Sequence, residues 1–168
     1  MRDDFERAVI AEIPRLRRYA RGLLRDAEAA DDLVQETLLR ALRGRAGFTR
    51  PDNLRAWLFT ILLNIRRNEL RSLARRPRIV PLDDMLAPPG RDGAQEPSAE
   101  LRRVLAALAE LSEELREALL LVAVEGLSYR ETAEVLAVPI GTVMSRLHRA
   151  RKRLRAVQEE AQGLRVVK

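Results

Sequence analysis

PIGTVMSRLHRARKRLR, residues Pro139 to Arg155, holds six basic side chains in its last ten positions: Arg146, Arg149, Arg151, Lys152, Arg153 and Arg155. No acid interrupts them. Val143, Leu147, Ala150 and Leu154 recur at helical spacing and make one apolar face. Thr142, Ser145, Arg146, Arg149 and Arg153 make the opposite face. One side therefore packs while the other presents hydroxyls and guanidiniums. Such a helix is a solvated surface, a membrane-surface element or a nucleic-acid reader. The apolar face carries no Trp or Phe, which argues against the membrane.

The residues just upstream favour the third reading. Ser128 and Glu131 form S-x-x-E, a capping box for the short helix SYRETAEVL. A tight turn through Ala137, Val138 and Pro139 follows. Two short helices in this order make a helix-turn-helix, whose second helix enters the major groove with its N-terminal end towards the bases. Thr142, Ser145 and Arg146 then face base edges, where Arg bonds guanine bidentately. The cations from Arg149 to Arg155 lie along phosphates and give affinity without sequence information.

Further upstream, Leu101, Val104, Leu105, Leu108 and Leu111 form an apolar stripe. Ser112 offers an N-cap for EELREALLLVAVE, and Gly126 ends that helix. Residues 77–98 contain five of the eight prolines and two glycines. Proline removes backbone donors and resists helix, so this segment reads as a linker. It separates two helical domains, 1–76 and 99–160, with a frayed tail at 161–168. The fold class expected is all-α: two small helical domains joined by a Pro-rich linker. Leu, Ala, Arg and Glu abound, and aromatics are only 4%.

The first domain reads as three helices. Residues 5–25 form one, with Pro14 a kink or helix start. Ala27 to Arg43 form the second, with Asp26 as N-cap. The third begins near Asp52 or Asn53 and runs to Arg75. On the second helix Leu33, Val34, Leu38 and Ala41 face inward, leaving Asp32, Gln35, Glu36 and Arg40 outside. An acidic and amide patch suits a basic protein partner better than DNA. The third helix is apolar in its first half and basic in its second. Trp57 begins the apolar run and is expected in the core; Phe48 in the loop either plugs the core or stacks on a base.

The net charge of +6 attracts polyanions. With no cysteine, disulfides and thiolate metal sites are excluded. There is no unbroken apolar run of a secretory signal or of bilayer length, so a cytoplasmic protein without membrane insertion is expected.

GLSYRETAEVLAVPIGTVMSRLHRARKRL resembles region four of bacterial extracytoplasmic-function (ECF) sigma factors, and EAADDLVQETLLRAL with NLRAWLFTILLNIRRNELR resembles their region two. The resemblance spans about residues 5–75 and 100–157, in the family's order. It implies a protein that binds core RNA polymerase, brings it to promoter DNA and helps open the strands. It carries polymerase contact onto Asp32, Gln35 and Glu36. It carries capture of the opened minus-ten strand onto Asn64, Arg67, Asn68, Arg71 and Arg75, and reading of the minus-thirty-five duplex onto Thr142, Ser145, Arg146, Arg149 and Arg153. Two departures stand out: Asn68 where the family often has Asp, and Met144 where it often has Lys. WLFTILLN and LLLVAVEGLSY are similar to the alphaproteobacterial general stress-response branch, which implies control by a small anti-sigma protein.

Two rival readings remain. A plain helix-turn-helix regulator accounts for 100–157 but leaves the first domain unexplained, and it usually carries a dimerisation element. A metal-dependent nuclease would use Asp31, Asp32 and Glu36. Adjacent acids on a helix diverge, however, and the only histidine, His148, sits among arginines. No catalysis, metal or cofactor is expected.

Overall fold

The computed structural model describes residues 2–24, 26–48, 53–75 and 99–166, with side chains at fewer positions near the ends of these stretches. The expected linker, 77–98, lies outside the described residues. The chain divides into two compact units, Met1–Gly93 and Ala94–Lys168. Among the described residues every regular element is a helix.

The first unit is built from α1 (Arg2–Leu23), α2 (Ala27–Arg43) and α3 (Leu54–Arg75), with a 3₁₀ turn at Arg45–Gly47. Pro14 sits inside an unbroken α1 and is exposed, so water can serve the carbonyl it leaves unbonded. Asp26 caps α2 as its side chain accepts from the N–H groups of Glu28 and Ala29, at 2.8 and 3.3 Å. The three helices pack on one another, and each contributes a stripe to a shared core. Leu16, Tyr19 and Leu23 of α1, Leu33, Val34 and Ala41 of α2, and Leu58, Phe59, Leu62 and Leu63 of α3 are all buried. Tyr19 and Phe59 pack edge to face at 4.9 Å, the arrangement that ring quadrupoles favour. Leu38, expected inside, is only half-buried.

Ion pairs tie the periphery. Glu12 of α1 accepts from Arg55 of α3 at 3.1 Å, and Asp31 of α2 lies 3.4 Å from Arg21 and 3.6 Å from Arg17. Phe48 is half-buried between Phe5 and Trp57, with centroids at 5.7 and 4.8 Å. Phe48 thus plugs the domain, whereas Trp57, expected in the core, is half-buried at its edge.

The second unit comprises α4 (Ala99–Ala109), α5 (Glu113–Leu119), α6 (Tyr129–Leu136) and α7 (Ile140–Val166). α5 continues as a π turn over Leu120–Val124, where the Glu125 N–H donates to the Leu120 carbonyl at 3.0 Å. Gly126 (φ 71°) ends this helix as expected, and the Leu127 N–H returns to the Leu121 carbonyl. Ser112 stands at the N-cap of α5 with an extended backbone, but its side chain makes no capping bond.

The expected stripe on α4 is core only at its end. Val104 and Leu105 are exposed, Leu108 is half-buried, and Leu111, just past the helix, is buried. The join between α4 and α5 is fixed by Arg116, whose guanidinium donates to the carbonyls of Leu108 (2.8 Å), Ala109 (3.2 Å) and Leu111 (2.8 Å). The Leu108 carbonyl also accepts from the Leu111 N–H at 3.2 Å, so the cation supplements the turn that closes α4 and favours the negative end of its dipole. α7 runs on to Val166, through most of the segment expected to fray.

Candidate functional site

In the second unit the site is made by α6, the turn and the start of α7. The capping box is complete: the Glu131 N–H donates to Ser128 Oγ at 3.2 Å, and the Ser128 N–H donates to Glu131 Oε2 at 2.7 Å. α6 therefore starts at one defined residue. It stops because Ala137 adopts the left-handed conformation (φ 54°, ψ 47°), which breaks the helical ladder. The Val138 N–H reaches back to the Ala133 carbonyl at 3.1 Å, and the Pro139 carbonyl accepts from Thr142 and Val143. Val143, Leu147 and Ala150 are fully buried against α5 and α6, which sets the rotation of α7 and hence which side chains it presents.

Ser145, Arg149 and Arg153 are exposed on that presented side, and Thr142 is half-buried. Arg149 lies back along the helix, donating to Ser145 Oγ at 3.3 Å, while Ser145 Oγ donates to the Thr142 carbonyl at 3.1 Å. Arg146 departs from the expected arrangement. Its side chain is only 13% exposed and pairs with Glu114 of α5 at 3.3 Å. The cause is its place on the wheel: the residue before buried Leu147 sits at the shoulder of the apolar stripe, within reach of α5. His148, Arg151, Lys152 and Arg155 are exposed.

In the first unit, Asn64, Asn68, Arg71 and Arg75 recur at four-, three- and four-residue intervals, so they line one side of α3. All four are exposed, and Arg67 beside them is half-buried. Ile65 is the last fully buried residue of α3; beyond it Arg66, Arg67 and Leu70 are half-buried and the rest exposed. At the head of this polar stripe lies an open cleft of about 380 Å³ lined by Arg40, Gly44, Gly47, Trp57, Ile61 and Asn64. Gly44 keeps this corner open: a Cβ would lie tight against the Arg40 carbonyl oxygen, at 3.1 Å, and in contact with the Trp57 ring, at 3.7 Å. The cleft could not be read from the sequence. Its walls come from three separate segments, and only the spacing of Trp57, Ile61 and Asn64 on one helix hints at it.

On α2, Asp32 and Gln35 are exposed and Glu36 is half-buried, paired with Arg40 at 2.6 Å. Leu39 and Leu42, which sequence reasoning did not single out, are 48% and 46% exposed along the same helix. Asp31 turns instead towards the arginines of α1. Among the described residues no group of three or more potential ligands is placed to hold a metal ion, and no helix is long and apolar enough to cross a membrane.

Residues 101–154 match the family model of sigma-70 region 4, and residues 9–63 match that of the Sigma2 domain of PhyR. The ECF RNA polymerase sigma factor EcfG of Rhodopseudomonas palustris (strain TIE-1) is 41% identical over 162 residues, 94% of this chain and 84% of that protein. The chain belongs to the ECF sigma factors, and within them to the EcfG-like type. Among solved structures, this sigma factor is similar to RpoE of Bartonella quintana in its complex with the anti-sigma factor NepR. That match has a TM-score of 0.80 and 35% identity, over 93% of this chain and 97% of that one. It is also similar to CnrH bound to the cytosolic domain of CnrY, with a TM-score of 0.68 and 30% identity over 95% and 90% of the two chains.

Proposed function

We propose that this sigma factor binds core RNA polymerase through the outer face of α2, places it on promoters with α7, and stabilises the opened minus-ten strand with α3 and its cleft. The observation that carries the reading is the pairing of two unlike sites in one chain. One is a helix-turn-helix whose presented face is hydroxyl and guanidinium. The other is an asparagine–arginine stripe leading into a cleft with an indole in its wall. Duplex recognition needs the first. An exposed single strand needs a cationic track and a π surface, which the second offers.

In this reading Asp32, Gln35 and Glu36 meet a basic surface of the polymerase, with Leu39 and Leu42 as apolar support. Asn64, Arg67, Asn68, Arg71 and Arg75 hold the minus-ten strand. Thr142, Ser145, Arg149 and Arg153 face the minus-thirty-five duplex, and Arg146 joins them only by leaving Glu114. The domain assignment is 1–76 for region two, 77–98 for a linker and 99–160 for region four, with 161–168 as a tail. Strand opening draws on binding energy and no covalent step. The protein works in the cytoplasm beside the polymerase, in a stress response. It is held off DNA by a small anti-sigma protein, as its likeness to RpoE bound to NepR and CnrH bound to CnrY supports.

The test is a titration of labelled protein with bacterial core RNA polymerase. Gln35→Ala is expected to weaken binding about tenfold or more without shifting the unfolding midpoint, because Gln35 is exposed. Absence of polymerase binding by the wild type, alongside tight duplex binding by the protein alone, would return the helix-turn-helix regulator.

A further inference from the structure

Met144 and Ile140 are 50% and 46% exposed, one helical turn apart at the start of α7. Neither contributes to the core, which takes Val143 and Leu147 from the same turns. Between them in sequence lies Gly141. A glycine within the first turn of a helix is less favourable than alanine by up to ~1 kcal/mol. The fold does not ask for it, because a Cβ at Gly141 would meet nothing within 4 Å, and no left-handed φ is recorded there. Helical spacing puts Gly141 beneath Met144 and Ser145, one and four residues from Ile140 and Ser145 respectively. The first turns of α7 thus carry a side-chain gap, with an apolar border from Ile140 and Met144 and a hydroxyl border from Ser145.

Resting on the reading that α7 enters the major groove, we propose that this apolar border recognises the 5-methyl group of a thymine in the minus-thirty-five duplex, with Gly141 giving the base edge room to approach. The 5-methyl is the one apolar group that a base pair displays in the major groove. The chain places two exposed apolar side chains and a missing Cβ at the groove-entering end of its recognition helix. A lysine at position 144 would supply a charge for phosphate instead. Met144 gives up that charge and offers surface that gains only by leaving water.

The experiment uses the full chain in complex with core polymerase. Duplexes are first selected from a random-sequence library by this holoenzyme. Each thymine of the recovered element is then replaced singly by deoxyuridine, which removes the methyl and nothing else. At one thymine the wild type is expected to lose about three- to fivefold in affinity, the value of one buried methyl group. Met144→Ala should bind thymine and deoxyuridine alike at that position. Gly141→Ala should raise the unfolding midpoint while weakening duplex binding, a split that a purely structural glycine would not give. Equal affinity of the wild type for thymine and deoxyuridine at every position overturns the proposal while leaving α7 as a DNA reader. Failure of the holoenzyme to select any duplex overturns both.

Discussion

Ala137 shows how much a single backbone angle does here. It is the one non-glycine residue with positive φ among the described residues, and it sits where α6 must stop so that α7 can start. A Cβ in this conformation costs about 1–2 kcal/mol. Glycine removes that strain but gives back part of the gain through a freer unfolded chain. Ala137→Gly is therefore expected to raise stability by about 0.5–1 kcal/mol, read as the midpoint of urea unfolding, with DNA binding unchanged. The opposite outcome is expected at Ser128. Ser128→Ala removes the side chain that accepts from the Glu131 N–H and loosens the reciprocal bond, for a loss of about 1 kcal/mol. Ser145 and Arg153 should also differ. Ser145, exposed in the second turn of α7 where base edges are read, is expected on replacement by Ala to relax sequence preference. Arg153→Ala should weaken all duplexes equally and lower the salt slope by about one. Competition binding across selected and scrambled duplexes separates the two.

At the scale of the element, residues that specify local structure were easy to read and residues that depend on a neighbour were not. Asp26, the Ser128–Glu131 box and Gly126 each act through backbone groups within a few residues, and each does in space what its spacing implies. Ser112 has the same chemistry, but its side chain does not cap. Arg146 carries the cation expected of a recognition helix, yet Glu114, thirty-two positions earlier (146 − 114), draws it aside. The stripe on α4 has the periodicity of a core helix. Periodicity reports an apolar face but not whether anything covers it, and Val104 and Leu105 are exposed. Besides its packing on α7, α4 is held at its C-terminal end by the Arg116 clamp, whose partners lie five to eight positions away with no sequence pattern to mark them. Arg116→Ala removes a charged donor from the carbonyls of Leu108, Ala109 and Leu111 and is expected to cost about 1.5–3 kcal/mol. Hydrogen exchange should show protection lost first along α4, with α6 and α7 retained. Uniform loss across all helices of the unit would contradict that.

For the whole molecule, the all-α class and the division into two units were legible because a proline-rich stretch interrupts two helical patterns of different character. The cleft at Trp57 was not, because it exists only once α2, the 3₁₀ turn and α3 are assembled. That assembly gives the molecule its logic. In the proposed reading, one unit carries the polymerase-facing helix α2 and the strand-facing helix α3, which share the cleft at Arg40 and Asn64, and the other carries the duplex-facing helix α7. Each core is small, so single losses weigh heavily. Leu62→Ala is expected to destabilise the first unit by about 2–5 kcal/mol and to abolish polymerase binding, while region-four helicity persists.

The most direct test of the central claim is transcription by bacterial core RNA polymerase from a genomic promoter library, with and without the protein. The account predicts new transcripts whose start sites share two spaced upstream elements. They should be lost with Gln35→Ala and, at the opening step, with Asn64→Ala and Arg71→Ala together. A library that stays silent, although the protein is folded and binds the polymerase, would contradict it.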